Sequence, residues 1–395
     1  MDPGVSTSRP QWLAFGLVCL AYLGVTVGEQ VLSPVLPDVS ADLGISEGQA
    51  GLAFGMLALA IAVANLVGGA VLGRTGGRML MLAGLAATVI GAVCGATANG
   101  FATMVVAQVL LGTGAGLYFP AGLQAVPFIA GSSRKGFAMG IYGVAFSGGL
   151  TAAALLGALG AAQGWRLALW AAAGLGAAAF VATLGVRLPP ATGAPVSFRF
   201  PRRALTGLPT FIGAVGAICQ YGAIPFLTTF AVTEWELRAG QAALLLAAGR
   251  VISILAKVVG GASSDRVGPV VSARRTGALL TVTGLAWVLL PAGWFVYACA
   301  ALFAGTVSSL FPVANMVAVD EFGGHGPSLG AYRSAQIGIG ALAGWSIGRI
   351  GESTSLRTTL AIAVATPVLL VVLLRRNQTP SAEPTVRGSA APTTG

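Results

Sequence analysis

The sequence predicts an all-α integral membrane fold: 12 transmembrane helices in two six-helix bundles with pseudo-two-fold symmetry. Hydrophobic residues make up 55% of the 395 residues and charged residues only 9%, whereas soluble domains carry roughly 25% charged residues. The mean hydropathy is +0.84. Apolar runs of about 20 residues, the length that crosses a bilayer, recur along the whole chain. A short polar motif that occurs twice predicts the two related halves.

The apolar runs define the individual helices. They are too long for barrel strands, which would span about 10 residues of alternating polarity. We predict spans at 11–35, 47–72, 78–98, 101–127, 136–161, 165–187, 206–230, 239–262, 274–292, 293–319, 328–350 and 354–375.

A Pro- and Arg-rich stretch at 188–205 is the best candidate for a linker between two halves. It separates an N-terminal bundle, 11–187, from a C-terminal bundle, 206–376. We expect residues 1–10 to form a cytoplasmic N-terminus. The Pro-, Thr- and Ser-rich residues 377–395 have the composition of a disordered cytoplasmic tail.

The repeated motif follows the second span of each half. Its second copy, Gly261–Gly268, reads GASSDRVG, and a degraded first copy, Gly69–Arg78, reads GAVLGRTGGR. Internal repeats of this kind are typical of secondary transporters, which rock around a central site.

Basic residues orient the chain. Most Arg and Lys residues fall in alternate loops, and we place Arg333 with them at the cytoplasmic start of the eleventh span. Arg166, Arg238, Arg349 and Arg357 fall on the other side. By the positive-inside rule, both termini are predicted to be cytoplasmic, and the formal charge of +10 reflects topology.

Several classes of protein are excluded. The basic residues form no face or motif that would bind nucleic acid. The four cysteines lie in apolar runs, and His325 is the single histidine, so we expect no disulfide framework, metal or other cofactor. The N-terminal run is too long for a cleavable signal peptide. No phosphate-binding P-loop string occurs. An enzyme would need convergent acid, base or metal groups, which one membrane carboxylate does not supply.

The order of these features resembles the major facilitator superfamily over nearly the whole chain. The likeness rests on the six-plus-six layout, the basic central linker and the two motif copies. Two further strings are similar to the family's: Leu36–Ser46 (LPDVSADLGIS), like its first external loop, and Gly164–Arg166 (GWR) after the fifth span. The resemblance implies transport of a small solute by alternating access.

The resemblance also implies a conformational latch, in which the motif's charged residues hold one face of the transporter closed. Its residues here would be Asp265 and Arg266 in the second copy, and Arg74 and Arg78 in the first. Gly73 replaces the Asp of the first copy, which weakens the prediction for that half. Arg74 and Arg78 could instead act only as topology anchors.

Other positions depart from the family's drug antiporters. Gln108 stands where those antiporters usually carry an Arg in the fourth span. Val144 and Ala145 replace the Gly-Pro of the antiporter pattern in the fifth span.

Three charged residues are predicted inside the membrane, where such groups are costly and usually functional. Glu29 lies well along the first span, and removal from water favours a carboxyl group that can exchange a proton. Arg250 lies near the midplane of the eighth span. Lys257, two turns further on, shares its face. Two cations lining a cavity favour an anionic substrate, although Glu29 could instead pair with one of them.

Polar and aromatic residues could complete the central site. Gln220 and Tyr221 are the first candidates, because Gly222 and Pro225 interrupt the seventh span, which lines the cavity in the family. The further candidates are Tyr118, Tyr142 and Asn315. Each of these could equally form a hydrogen bond between helices.

Two functions remain open. One is proton-coupled efflux of a drug-like compound or metabolite through Glu29, which the breadth of the family favours. The other is transport or exchange of an organic anion through Arg250 and Lys257, which the charges and the degraded antiporter pattern favour. A remote alternative is a membrane sensor that has lost transport. We expect a multi-pass monomer in a bacterial inner membrane, with a small-molecule substrate, a proton and the lipid bilayer as partners.

Overall fold

The computed structural model describes residues 12–45, 47–131, 134–188 and 190–374. The predicted terminal segments 1–10 and 377–395 lie outside these residues. In the first half, six predicted spans are helical, and we number them spans 1 to 6. They are Trp12–Gln30 continued by Leu32–Leu43, then Glu47–Thr75, Gly77–Ala96, Phe101–Ala130, Lys135–Gln163 and Trp165–Leu184.

The second half holds spans 7 to 12. Span 7 comprises Leu208–Ala217, Ile218–Ala223, Ile224–Phe226 and Leu227–Thr233. Spans 8 and 9 are Ala239–Val267 and Pro269–Leu289, and span 10 comprises Trp294–Thr306, Val307–Ser309 and Leu310–Phe322. Span 11 is Gly326–Ser353, and span 12 comprises Leu356–Ala365 and Val368–Leu373. A short helix, Arg203–Thr206, precedes span 7.

The hydropathy of these helices agrees with a membrane fold. Within the described ranges, ten helical segments have the length and hydropathy of a membrane crossing. Spans 9 and 11 are helices of 21 and 28 residues, and each contains two arginines, which lower its hydropathy. The predicted all-helical fold is therefore confirmed.

The two bundles meet mainly through two pairs of helices. Span 5 packs on span 8, and span 2 packs on span 11. The contacts involve glycines near the loops that carry the repeated motif, such as Gly136 against Gly261 and Gly69 against Gly326. We call this side of the molecule the motif end. Small residues let helix backbones approach closely in a membrane.

Two spans lose regular helical geometry at the level of the central cavity. In span 7, residues Ile218–Ala223 form a π-helical turn and Ile224–Phe226 a 3-10 turn. Pro225 explains the second irregularity, because a proline removes one backbone donor. Span 10 contains a 3-10 turn at Val307–Ser309. Both irregular segments contribute residues to the cavity, and π-helical turns often mark functional sites.

Two sequence strings meet at the end opposite the motif loops: the one at the end of span 1, beyond its apolar part Trp12–Leu36, and the one that follows span 5. The carboxylate of Asp42 accepts hydrogen bonds from Arg166 Nη1 at 2.7 Å and from Trp165 Nε1 at 3.1 Å. Arg166 also donates to the carbonyl of Ala98 at 3.2 Å. These donors hold the pKa of Asp42 below its ordinary value of 3.8. The corner thus joins spans 1, 3 and 6.

This corner predicts an acid-dependent step in stability. A carboxylate with a lowered folded-state pKa stabilises the protein above its unfolded pKa, and the contribution is lost as pH falls through the folded value. We expect Asp42→Asn to unfold at a lower temperature than the wild type at pH 7, and the difference to shrink as the pH falls below 3.8. Tryptophan-fluorescence melts in detergent would measure both. A difference that persists undiminished at pH 3 would contradict this origin.

Candidate central cavity

A cavity lies between the two bundles, beyond the contacts at the motif end. It has a volume of about 230 Å³, and spans 1, 4, 5, 7, 8, 10 and 11 all contribute to its walls. A gap of about 540 Å³ between spans 1, 5 and 8 shares Gln30, Leu150 and Arg250 with it. This gap extends away from the motif end, because its other residues in spans 1 and 5, such as Pro34 and Ala154, lie further from the motif loops along those helices.

The cavity concentrates charge in an otherwise apolar region. Among the described residues that line it, the charged ones are Glu29, Arg250, Lys257 and Arg333. Three cationic side chains therefore face one carboxylate, and this leaves an excess of positive charge when all four are ionised. Charges at this depth are costly unless they are paired, hydrated or used to bind a ligand.

Lys257 is the most enclosed of the three cations. It is only 5% exposed, and its ammonium donates to the hydroxyl of Ser147 in span 5. The same ammonium lies 5.3 Å from the ring centre of Phe146. Since span 5 and span 8 belong to different bundles, Lys257 joins the bundles as well as lining the cavity. Arg250 lies two helical turns before Lys257 on the same face of span 8, and its side chain is exposed at the mouth of the gap.

Arg333 is the site residue that sequence reasoning missed. The orientation count assigned it to the cytoplasmic side, but it lines the cavity and its guanidinium lies 4.3 Å from the centre of the Phe119 ring. It interacts electrostatically with Glu29, whose carboxylate accepts a hydrogen bond from Gln30 at 2.9 Å. The sequence did offer a signal of this depth, because Arg333 lies two turns into span 11, about 10 Å from the start of the helix.

A hydrogen-bonded chain connects Arg333 with the predicted residue Asn315. Arg333 donates to Gln336 at 3.2 Å, and Gln336 donates to the hydroxyl of Tyr332 at 2.7 Å. Tyr332 in turn donates to Asn315 at 2.9 Å. Asn315 lines the cavity but is only 8% exposed. Its side-chain oxygen therefore serves a contact between spans 10 and 11.

The predicted tyrosines belong to an aromatic stack in the N-terminal bundle. Tyr22 stacks on Tyr142 with ring centres 4.2 Å apart, and on Tyr118 at 5.7 Å. Tyr22 and Tyr142 line the cavity. Tyr118 is fully buried, and its hydroxyl donates to the carbonyl of Val18 at 2.6 Å. Tyr118 thus lies behind the cavity wall, while Tyr22, which sequence reasoning did not select, forms part of it.

The predicted pair in span 7 lies in the π-helical turn. Gln220 accepts a hydrogen bond from Ser308 in span 10 at 3.3 Å. Tyr221 is 37% exposed, and its ring lies 6.3 Å from that of Phe311. Both line the cavity. The irregular turn brings these two consecutive side chains to the same wall.

At the motif end, close backbone contacts close the cavity. A Cβ atom at Gly261 would lie 2.8 Å from the carbonyl carbon of Gly136 and 3.1 Å from the backbone nitrogen of Gly140. On the other side of the molecule, Gly69 packs on Gly326 and Gly330 in the same way. The two contacts occupy corresponding positions in the two repeats.

Of the four predicted latch residues, Asp265 makes a contact between the bundles. Its two carboxylate oxygens accept hydrogen bonds from the backbone N–H groups of Gly136 and Phe137, each at 2.8 Å. These groups belong to the start of span 5, where the helix dipole favours a negative charge. Arg78 instead donates to the carbonyl of Leu184 in its own bundle. Arg74 and Arg266 are exposed in the last turns of spans 2 and 8.

The corresponding contact in the first repeat lacks the carboxylate and one of the two N–H donors. Gly73 provides no carboxylate, and its carbonyl accepts a hydrogen bond from the backbone N–H of Thr192 in the linker at 2.9 Å. Gly326 packs on Gly69 as Gly136 packs on Gly261, so the counterpart of Phe137 is Pro327, which has no N–H to donate. The loss of Asp at position 73 is therefore matched by the loss of a donor in span 11. Among the described residues, this contact between a motif carboxylate and a helix N-terminus is therefore present in the second repeat only.

Removing this carboxylate should favour opening of the motif end. A charge at a helix N-terminus contributes about 0.3–2 kcal/mol, so Asp265→Asn should shift the equilibrium toward the open form by roughly 2- to 30-fold. Electron–electron distances between spin labels at the exposed positions 74 and 275 would measure this shift, because the two bundles separate there when the motif end opens. Asp320→Asn is the matched comparison, since it breaks the exposed ion pair of Asp320 with Lys135, 2.8 Å long. We expect a smaller shift there, and equal shifts in both variants would contradict the latch.

Comparisons with known proteins agree with this architecture. The sequence profile of the Major Facilitator Superfamily matches residues 18–332. Among solved structures, the E. coli fucose:proton symporter FucP has a TM-score of 0.76 at 15% identity and covers 93% of this chain and 99% of its own. The human organic anion transporter MFSD10 also has a TM-score of 0.76, at 17% identity, and covers 93% and 100%.

Relatives with curated names match a smaller part. The probable sulfoacetate transporter SauU of Cupriavidus necator is 25% identical over 159 residues, which are 40% of this chain and 37% of that protein. The puromycin resistance protein pur8 of Streptomyces alboniger is 31% identical over 183 residues, 46% of this chain and 36% of that protein. These matches thus span little more than a third of either relative. The profile match and the fold together show that the chain belongs to the Major Facilitator Superfamily and is a membrane transporter, not an enzyme.

Proposed function

We propose that this protein is a secondary active transporter that moves a small organic anion by alternating access. The observation that carries the proposal is the charge of the cavity, where Arg250, Lys257 and Arg333 face a single carboxylate, Glu29. Glu29 interacts electrostatically with Arg333. We therefore assign the charges of Arg250 and Lys257 to ligand binding. A carboxylate or sulfonate would offset one of these two charges and could accept charge-assisted hydrogen bonds from both side chains.

The relatives give this proposal independent support. One is named a probable sulfoacetate transporter and one fold neighbour an organic anion transporter. We further propose that both termini face the cytoplasm of a bacterial cell. The motif end would then be cytoplasmic, and the described conformation, closed there and open opposite, would be the outward-facing one.

Ligand-induced stabilisation tests the proposal. Purified protein in detergent would be heated with a panel of carboxylates and sulfonates, and with cationic drug-like compounds. We expect saturating organic anions to raise the unfolding temperature of the wild type by roughly 2–5 °C. The rise should vanish in Arg250→Ala and persist in Arg199→Ala, a charge-matched control in the exposed linker. Stabilisation by the cationic compounds that is equal in the wild type and in Arg250→Ala would contradict the proposal.

A second candidate is proton-coupled export of an amphipathic compound, as first expected from the breadth of the family. Glu29 favours it, because this is the one acidic side chain among the described residues of the cavity wall. The relative named a puromycin resistance protein points the same way. In proteoliposomes, this function requires that a pH gradient drives export by the wild type and that Glu29→Gln abolishes the response.

A further inference from the structure

The cavity between the bundles has a second compartment. It has a volume of about 300 Å³ and lies between spans 1, 2, 4, 7 and 11. The two compartments share six residues, and these form a common wall: Tyr22, Glu29, Gln30, Phe119, Tyr221 and Arg333. Small-molecule pockets usually occupy about 300–1,000 Å³. Each compartment alone lies at or below that range, so a ligand of ordinary size would use both.

The two compartments differ in chemistry. The first one adds Arg250, Lys257 and three serines to the common wall. The second adds apolar residues such as Leu57, Ile61 and Ile337, together with glycines and alanines. Its single additional polar residue in the described chain is Asn65, whose amide donates to the carbonyl of Ile61 at 2.9 Å. Unbalanced positive charge is thus confined to one compartment.

The common wall joins these environments through aromatic rings. Tyr22, Phe119 and Tyr221 face both compartments. Glu29 and Arg333 also face both, and their opposite charges offset each other. A second anionic group placed beside this wall would meet the carboxylate of Glu29 and lose water without gaining an unpaired cation. The wall therefore suits a flat, apolar part of a ligand.

From this division we infer that the substrate is an amphipathic organic anion. A single carboxylate or sulfonate head binds between Arg250 and Lys257, and an apolar, ring-containing body crosses Tyr22, Phe119 and Tyr221 into the second compartment. The inference rests on the proposed function and narrows its substrate class. It separates such compounds from small, fully polar anions, which would occupy the first compartment alone.

Two ligands with the same head test this inference by titration calorimetry in detergent. They are methanesulfonate, which has almost no body, and naphthalene-2-sulfonate, which has two fused rings. We expect the wild type to bind the naphthyl compound at least about tenfold more tightly, because its rings leave water for the apolar compartment. Arg250→Ala should weaken the naphthyl compound by about tenfold or more, because its head loses a charged partner.

A side chain that fills the second compartment distinguishes the contribution of the ligand's apolar body to affinity from that of its anionic head. Ala341 lines that compartment, and Ala341→Phe should weaken naphthalene-2-sulfonate alone, by about tenfold. The neighbouring Leu342 is 65% exposed on the outside of the same helix, and Leu342→Phe should change neither affinity. Equal affinities of the wild type for the two ligands, or equal losses of both in Ala341→Phe, would overturn the inference and leave anion transport standing. No binding of either ligand by folded wild type would overturn the proposed function and the inference together.

Discussion

Replacing Gly261 with leucine is expected to stop transport while leaving each bundle folded. Gly261 faces the backbone of span 5 at the motif end, and its new Cβ would lie 2.8 Å from the carbonyl carbon of Gly136. A helix backbone cannot rotate aside as a flexible side chain would. Overpacking of this kind costs about 1–3 kcal/mol. The closed form would therefore be disfavoured by roughly 5- to 150-fold, with little effect inside either bundle.

Two measurements check this expectation. Solute flux in proteoliposomes should fall by at least about tenfold, and the distance between spin labels at positions 74 and 275 should lengthen. The matched control is Gly16→Leu, also in a transmembrane helix, because a Cβ there would meet nothing within 4 Å. Normal flux in Gly261→Leu, or an unchanged label distance, would mean that the contact between spans 5 and 8 does not govern closure.

Replacing Lys257 with methionine is expected to weaken anion binding by about 10- to 100-fold. Methionine keeps most of the side-chain volume, so the packing of Lys257 against Gly143 should survive. The loss is that of a hydrogen bond to a charged group, which contributes about 1.5–3 kcal/mol. Affinities from titration calorimetry would measure the change, and the unfolding temperature would report whether the fold persists.

Ser147→Ala separates the two roles of Lys257. This variant removes the hydroxyl that the ammonium contacts but leaves the charge in the cavity. If Lys257 binds the anion, Ser147→Ala should keep the wild-type affinity or increase it, since the ammonium no longer has to leave a partner. An equal loss of affinity in Ser147→Ala and Lys257→Met would show that the hydrogen bond between Lys257 and Ser147 matters and that the charge of Lys257 does not. Unchanged affinity in Lys257→Met would remove Lys257 from the binding site.

The fold could be predicted from the sequence because membrane spans are defined by the length of apolar runs. The depths of Glu29, Arg250 and Lys257 followed from counting residues along those runs. The faces of the helices were harder to predict, because a span that is apolar all round carries no periodic signal. Tyr118 shows this, since its hydroxyl bonds within its own bundle while the neighbouring stack member Tyr22 reaches the cavity.

Contacts between distant parts of the chain were beyond sequence reasoning. Asp265 was selected from the motif, but its partners Gly136 and Phe137 lie more than 120 residues away along the chain. Arg333 was placed at the cytoplasmic start of the eleventh span, because basic residues near helix ends usually set topology. Its contact with Phe119, in the other bundle, became visible only once spans 4 and 11 were packed together.

Anion exchange in proteoliposomes tests the central claim most directly. Preloaded vesicles would exchange labelled methanesulfonate or naphthalene-2-sulfonate, which stay ionised and so do not cross the lipid as neutral acids. We expect wild type and Arg199→Ala to exchange at least one of these anions well above empty vesicles, and Arg250→Ala to fall to the empty-vesicle rate. Exchange by Arg250→Ala as fast as by the wild type, or no exchange by the wild type, would contradict an organic-anion transporter that binds its substrate through the cavity's cations.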